Sequence, residues 1–285
     1  MENRDGIILF VGGDKRQGNI YKSLLKSYQQ CRIIAYGENE YSDSTVETAE
    51  IIVLPTVATA DGETVSTPLY NKTVQLSNLF SHAMRCKCII AGMASSALIE
   101  KAASYGIDCY EYVSDQGFKT LNAIPTAEGA LAIAAENSDI TIWNSKCLVI
   151  GCGCIGRRLA ELLKALGANV TVSARKPHDA AFIKANNYCF TETKAVSENV
   201  GDFDFIFNTV PHRVIANRAL LGLKEKTVVI ELASKPYGID FDAAKDAKCR
   251  VIAAPSLPGR FSPVTAAEIA KTAIERIIKE VQNNE

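Results

Sequence analysis

Lys146-Cys147-Leu148-Val149-Ile150-Gly151-Cys152-Gly153-Cys154-Ile155-Gly156 is the stretch on which the reading of this chain turns. Residues 147–150 form an uninterrupted apolar run of strand length, and a helix-forming segment follows from Arg157 to Leu166. Between them Gly151, Gly153 and Gly156 stand at G-x-G-x-x-G spacing. The first glycine allows a tight turn, the second lets a diphosphate approach the backbone, and the third lets helix and strand pack closely. The N–H groups that open the helix favour the phosphates, so Cys154 and Ile155 join the three glycines as expected cofactor contacts. The rival reading is a tight turn that holds no ligand.

The next strand selects the dinucleotide. An NAD site carries an acid about 20 residues beyond the motif for the ribose 2′-OH, whereas a nearby Arg accommodates a 2′-phosphate. Here the segment is Val170-Thr171-Val172-Ser173-Ala174-Arg175-Lys176-Pro177-His178, with no acid. Arg175 and Lys176 supply charge and Ser173 a hydroxyl, so NADP is expected over NAD. Two solvated bases at a strand end are the plainer alternative. Later strands end at Asn208-Thr209-Val210-Pro211 and at Ala233-Ser234. Ligands of open α/β sheets lie beyond the carboxyl ends of the strands, so these residues are expected near the ribose and nicotinamide. Turn or capping roles are the other reading.

Outward from the glycine loop, the chain alternates short apolar runs with helical stretches. Candidate strands lie at 7–11, 32–35, 51–54, 88–91 and 108–110, then at 147–150, 170–173, 205–208, 228–232 and 251–253. Helices are expected between them, at 18–30 and 95–105 for example. This is the pattern of an α/β protein with two doubly wound parallel-sheet lobes, the second a Rossmann dinucleotide-binding domain. We expect residues 1–122, with a returning C-terminal helix at about 263–285, to form the first lobe, and 123–262 the second. Pro125 suits the first position of a connecting helix.

The composition is that of a globular protein: of 285 residues, 47% are hydrophobic and 22% charged. A net charge of -1 gives no bulk reason to expect nucleic acid or an anionic membrane as partner. The start of the chain lacks a signal-peptide pattern, and no run of about 18 apolar residues occurs, so a cytoplasmic protein is expected. Nine cysteines without a C-x-x-C pair read as reduced small hydrophobes, with no metal site expected. Lipase-type and zinc-protease motifs are absent as well.

Further segments carry a family resemblance. They are Gly12-Gly13-Asp14-Lys15-Arg16-Gln17, Asn122-Ala123-Ile124-Pro125-Thr126-Ala127-Glu128-Gly129-Ala130, Asn208–Pro211, Glu231-Leu232-Ala233-Ser234 and Ala254-Pro255-Ser256-Leu257-Pro258-Gly259 with Pro263 and Thr265. Together with the glycine loop, and in this order, they make the chain similar to the A subunits of dipicolinate synthase. Tyr237-Gly238 departs from the paired glycine usual there, and Arg260-Phe261-Ser262 is bulkier than expected. The resemblance implies a sporulation enzyme of the mother-cell cytoplasm. It would oxidise the cyclic product of dihydrodipicolinate synthase to pyridine-2,6-dicarboxylate with a nicotinamide cofactor. It also implies a flavoprotein-like B subunit as partner, and self-association stays open, as a homo-oligomer.

Such a substrate needs holders for two carboxylates. Arg16, Thr126, Arg260 and Thr265 are the expected ones; solvated or capping roles compete for each. In particular, Thr126 is expected in the first turn of the connecting helix, and Arg260 in a loop closing over the nicotinamide end. His212 is the histidine nearest the expected chemistry and the candidate proton acceptor, with a surface role as the competing reading. Asp14 and Glu128 are rival bases. Two other readings stand beside this one: a non-catalytic nucleotide-binding protein that needs the B subunit, and an NADP-dependent dehydrogenase of the shikimate or methylenetetrahydrofolate type.

Overall fold

The structure, a computed structural model, describes residues 6–283 apart from 246–248. The chain divides into two compact units: residues up to Leu121 together with Ser262 onward, and Asn122–Phe261.

The first unit is built on β1 (Ile7–Val11), β2 (Cys31–Ile34), β3 (Ala49–Val53), β4 (Cys88–Ala91) and β5 (Asp108–Glu111), all parallel, in the order β2-β1-β3-β4-β5. Alternate residues of the central strands feed two cores. Ile8, Phe10, Ile51, Val53, Cys88 and Ile90 pack on one face, and Leu9, Val11, Ile52, Ile89 and Ala91 on the other. Burial on both faces is why these strands read as continuous apolar runs rather than alternating ones. The C-terminal helix, Pro263–Asn283, lays Ala267, Ala270, Ala273, Ile274 and Ile278 onto the first of these cores. The Ser23 hydroxyl donates to Glu268 at 2.6 Å, and Arg276 pairs with Asp115, which fixes this helix against the unit.

The second unit contains β6 (Lys146–Ile150), β7 (Asn169–Ala174), β8 (Cys189–Glu192), β9 (Phe205–Asn208), β10 (Val228–Glu231) and β11 (Arg250–Ala253), again parallel, in the order β11-β10-β9-β6-β7-β8. Counted within the unit and read from the β8 edge, this is the 3-2-1-4-5-6 order of a dinucleotide-binding fold. The architecture is therefore the expected two-lobe, doubly wound α/β fold with a Rossmann-like second lobe.

Several local expectations are corrected. β8 has no counterpart among the expected strands: it is a four-residue edge strand, partly exposed on both faces, and carries no apolar run. The first helix is Lys15–Leu24 rather than 18–30, because Asp14 caps it. Pro125 does not open a helix. It lies inside a continuous helix, Gln116–Glu136, and its missing N–H leaves the Leu121 carbonyl without a helical donor. The segment 257–261 is a short helix, not a loop. No helix among the described residues is long and apolar enough to cross a membrane.

Candidate functional site

The carboxyl ends of β6, β7, β9 and β10 gather the glycine loop and its neighbours. Gly151 leaves β6 at φ +100, a left-handed conformation that favours glycine. A side chain there would also strike Thr209 Oγ1, 2.5 Å from the Cβ position. Gly156 is fixed by packing, since a Cβ would lie 2.0 Å from the Gly151 carbonyl oxygen. Gly153 differs from both. Its φ of −80 suits any residue, and a Cβ would meet nothing within 4 Å. The protein itself does not require a glycine at 153, but a group approaching the backbone from outside would. Gly153 is also the cap of the helix Cys154–Ala165, and no side chain caps that helix. The N-terminal end of a helix is electrostatically suited to a negatively charged group. The residues present therefore fit a dinucleotide diphosphate, with the backbone of Gly153, Cys154 and Ile155 as its seat.

Beside the loop lies a cleft of about 810 Å³. Pro177, Ala180, Phe190 and Val214 line it with apolar surface, while Arg175, Lys176, Lys194, His212 and Arg213 give it a basic rim. Lys194 pairs with Glu192 at 2.8 Å and Arg213 with Asp240 at 3.1 Å. Arg175 and Lys176 have no ion-pair partner among the described residues. Phe190, on the edge strand β8, is a half-exposed ring suited to stacking on a base.

Other expected contacts are placed differently. Ser173 is fully buried beneath the loop: its hydroxyl accepts from Gly151 N at 3.3 Å and lies 3.4 Å from Thr193 Oγ1. It props the first glycine and is shielded from a ligand. Thr209 likewise donates to the Ile150 carbonyl at 2.8 Å. Asn208 is also fully buried, and its amide donates to both carboxylate oxygens of Glu231, at 2.8 and 2.9 Å, and to the Val210 carbonyl at 3.0 Å. No donor is left for a cofactor, so Asn208 is a brace rather than a contact. His212 lines the same cleft as Arg175 and Lys176.

Glu231, which the sequence offers only as part of a resemblance segment, braces this site. It is 1% exposed and register-paired with Asn208 across β10 and β9. Its oxygens also accept from Ala233 N at 2.9 Å and Gly238 N at 3.0 Å, which fixes the 233–238 loop over the strand end. Burial pushes its carboxyl above the ordinary value, against the pull of these donors. In that loop Tyr237 stands at φ +65, the conformation for which the paired glycine would be usual, and its ring packs edge-on against Phe241 at 5.3 Å. An acid in mid-pattern at a strand end is the available signal, but only the fold shows that it is enclosed.

The expected substrate holders do not gather in the second unit. Thr126 is in mid-helix, and its hydroxyl donates to the Asn122 carbonyl at 2.6 Å, so it offers no free helix end. Arg260 is exposed, with its guanidinium 5.7 Å from the Phe261 ring. Thr265 lies in the first turn of the C-terminal helix, in the first unit. Arg16 is also in the first unit, paired with Asp14 at 2.8 Å. Burial raises the Asp14 carboxyl, but the Arg16 guanidinium and the N–H groups of Arg16 and Gln17 outweigh it, and the net displacement is downward. All nine cysteines are free, and no cluster of three or more potential metal ligands occurs among the described residues.

Comparison with known proteins matches residues 7–113 to the N-terminal domain of the A subunit of dipicolinate synthase. The A subunit of dipicolinate synthase from Bacillus subtilis (strain 168) is 29% identical over 98% of this chain and 97% of its own length. The chain is thus similar to dipicolinate synthase A subunits along nearly its whole length. Among solved structures, the dipicolinate synthase A subunit from Bacillus subtilis superposes with a TM-score of 0.89 at 28% identity, over 100% of this chain and 99% of that one. Its counterpart from Bacillus halodurans gives 0.87 at 25% identity, over 95% and 97%. Residues 127–235 match the NAD-binding domain of D-isomer specific 2-hydroxyacid dehydrogenases. The second unit is thus a dehydrogenase-type NAD(P)-binding domain.

Proposed function

We propose that this chain is the oxidoreductase component that forms pyridine-2,6-dicarboxylate from the cyclic product of dihydrodipicolinate synthase, with NADP as hydride acceptor, during sporulation and in the mother-cell cytoplasm. The observation that carries this reading is that the similarity to a dipicolinate synthase of the A type spans both units and not the glycine loop alone. When bound, the nicotinamide supplies the two-electron acceptor.

In this reading the second unit seats the diphosphate on the backbone at Gly153–Ile155. Arg175 and Lys176 take the 2′-phosphate, and Phe190 stacks on the adenine. NADP is favoured over NAD because β7 ends in Ser173-Ala174-Arg175 with no carboxylate to accept from a ribose. Ala233 and Ser234, on the loop braced by Glu231, border the nicotinamide end together with Val210 and Pro211. Once the ring has shed its hydroxyl as water, the remaining step removes one hydride and one proton and gains aromaticity. The protein therefore needs to hold two carboxylates and orient the ring more than it needs a strong nucleophile.

A second reading has one observation in its favour. Glu231 is enclosed and its oxygens are taken by Asn208, Ala233 and Gly238, so it does not supply a base for the proton. The chain would then be the nucleotide-binding part of a site completed by the flavoprotein-like B subunit. The deciding experiment supplies the purified chain with NADP and freshly generated dihydrodipicolinate synthase product. Dipicolinate and NADPH from the chain alone support the first reading. Product only after the B subunit is added supports the second. No product in either case rejects both.

A further inference from the structure

We propose that the first unit carries an anion subsite formed by the Arg16 guanidinium and the Thr56 hydroxyl, which takes one carboxylate of the cyclic substrate. This rests on the reading above and adds a residue that the sequence does not single out.

The sheet order β2-β1-β3-β4-β5 changes direction between β1 and β3. In doubly wound sheets the crevice for a ligand opens at that point, beyond the carboxyl ends of the strands. Arg16 follows β1 and Thr56 follows β3. Their two loops are tied together by Gln17, whose buried carboxamide donates to the Val53 carbonyl at 3.0 Å.

Thr56 is placed by three contacts. Its carbonyl accepts from Met93 N at 2.8 Å. Gly92 permits that approach, because a Cβ there would lie 2.4 Å from Thr56 Cα. Its hydroxyl is 2.9 Å from the hydroxyl of Tyr112, a side chain only 1% exposed. One proton suffices for that bond. With enclosed Tyr112 as donor, the proton of half-buried Thr56 is free for an outside acceptor. Arg16 is held in a similar way: Asp14 takes Nε at 2.9 Å and Nη2 at 2.8 Å, and Nη1 has no partner among the described residues. The pairing of β1 with β3 and the Gln17–Val53 hydrogen bond hold the strand ends that lead to Arg16 and Thr56 side by side. What this place offers outward is donors, one of them charged, which suits a carboxylate.

The test compares Thr56→Val, which keeps the shape and removes the donor, with Thr56→Ser, which restores it. Pyridine-2,6-dicarboxylate binding to the full chain is read by calorimetry, NADP binding by fluorescence, and folding by thermal unfolding. Thr56→Val is expected to weaken dicarboxylate binding about tenfold with NADP binding and unfolding unchanged, and Thr56→Ser to recover most of it. Arg16→Gln should weaken it further, and Tyr112→Phe should act in the same direction as Thr56→Val. Equal dicarboxylate binding by wild type and Thr56→Val, or no binding by wild type, overturns the subsite. Absence of turnover by a wild type that does bind the dicarboxylate tells instead against the catalytic reading, and leaves the subsite supported if Thr56→Val binds more weakly.

Discussion

In chain order both sheets open with a buried strand, a pair of nearby glycines and a helix, yet the two turns are finished in opposite ways. In the first unit Asp14 caps the helix, accepting from Arg16 N at 2.8 Å, and Arg16 folds back to neutralise it. In the second unit Gly153 occupies the cap and contributes no side chain. The first helix is capped by its own side chain, while the second has no side-chain cap and leaves open space at Gly153. The same local motif thus has a side-chain cap in one place and none in the other. What separates them is whether the capping residue brings its own acceptor.

That comparison is most severely tested at Gly156. With its Cβ position 2.0 Å from the Gly151 carbonyl, Gly156→Ala forces strand and helix apart. A loss of roughly 3 kcal/mol or more is expected, seen as a large drop in unfolding temperature or as insoluble protein. An unchanged midpoint would mean that the loop is not packed as described.

Gly153→Ala asks the complementary question. The structure accommodates the methyl group, so unfolding should stay within about 0.5 kcal/mol of wild type. Dinucleotide affinity should fall by about tenfold or more, because the backbone is what the diphosphate approaches. If affinity survives, the turn is only a turn. Arg175→Ala then tests the cleft: the NADP KM should rise about tenfold while the NAD KM changes little, the worth of one charge-assisted hydrogen bond. Equal changes for both cofactors would remove the assignment of Arg175 to the 2′-phosphate.

The smallest effect is expected at the side-chain cap. Folding favours ionised Asp14, so its contribution is complete above about pH 4 and is lost as the pH falls through its lowered value. Asp14→Asn retains the cap but not the charge, and its stability should decline less between about pH 4 and about pH 2. Parallel acid limbs for the two proteins would show that the Asp14–Arg16 pair does not contribute.

The comparison also explains how far the sequence is legible. The strand runs of both sheets are readable, because strands covered on both faces must be apolar throughout. The glycine loop is readable because its three backbone demands fall at fixed spacing. Pro125 and Thr126 mislead, since a proline signals a helix start by propensity and only packing carries a helix through it. Ser173 and Asn208 suggest ligand contacts by their position at strand ends, and both prove to be enclosed and already bonded.

By itself the sequence determined the alternation of strands and helices, the glycine loop and the basic end of β7. Each of these is a local property, set by neighbours within a few residues. Only the tertiary structure decided which polar groups at the strand ends are used up and which remain. Glu231 is the partner of Asn208, 23 residues away, and Tyr112 the partner of Thr56, 56 residues away. A hydroxyl or carboxylate is available for chemistry only after such distant partners are known, because each buried donor or acceptor must first be satisfied.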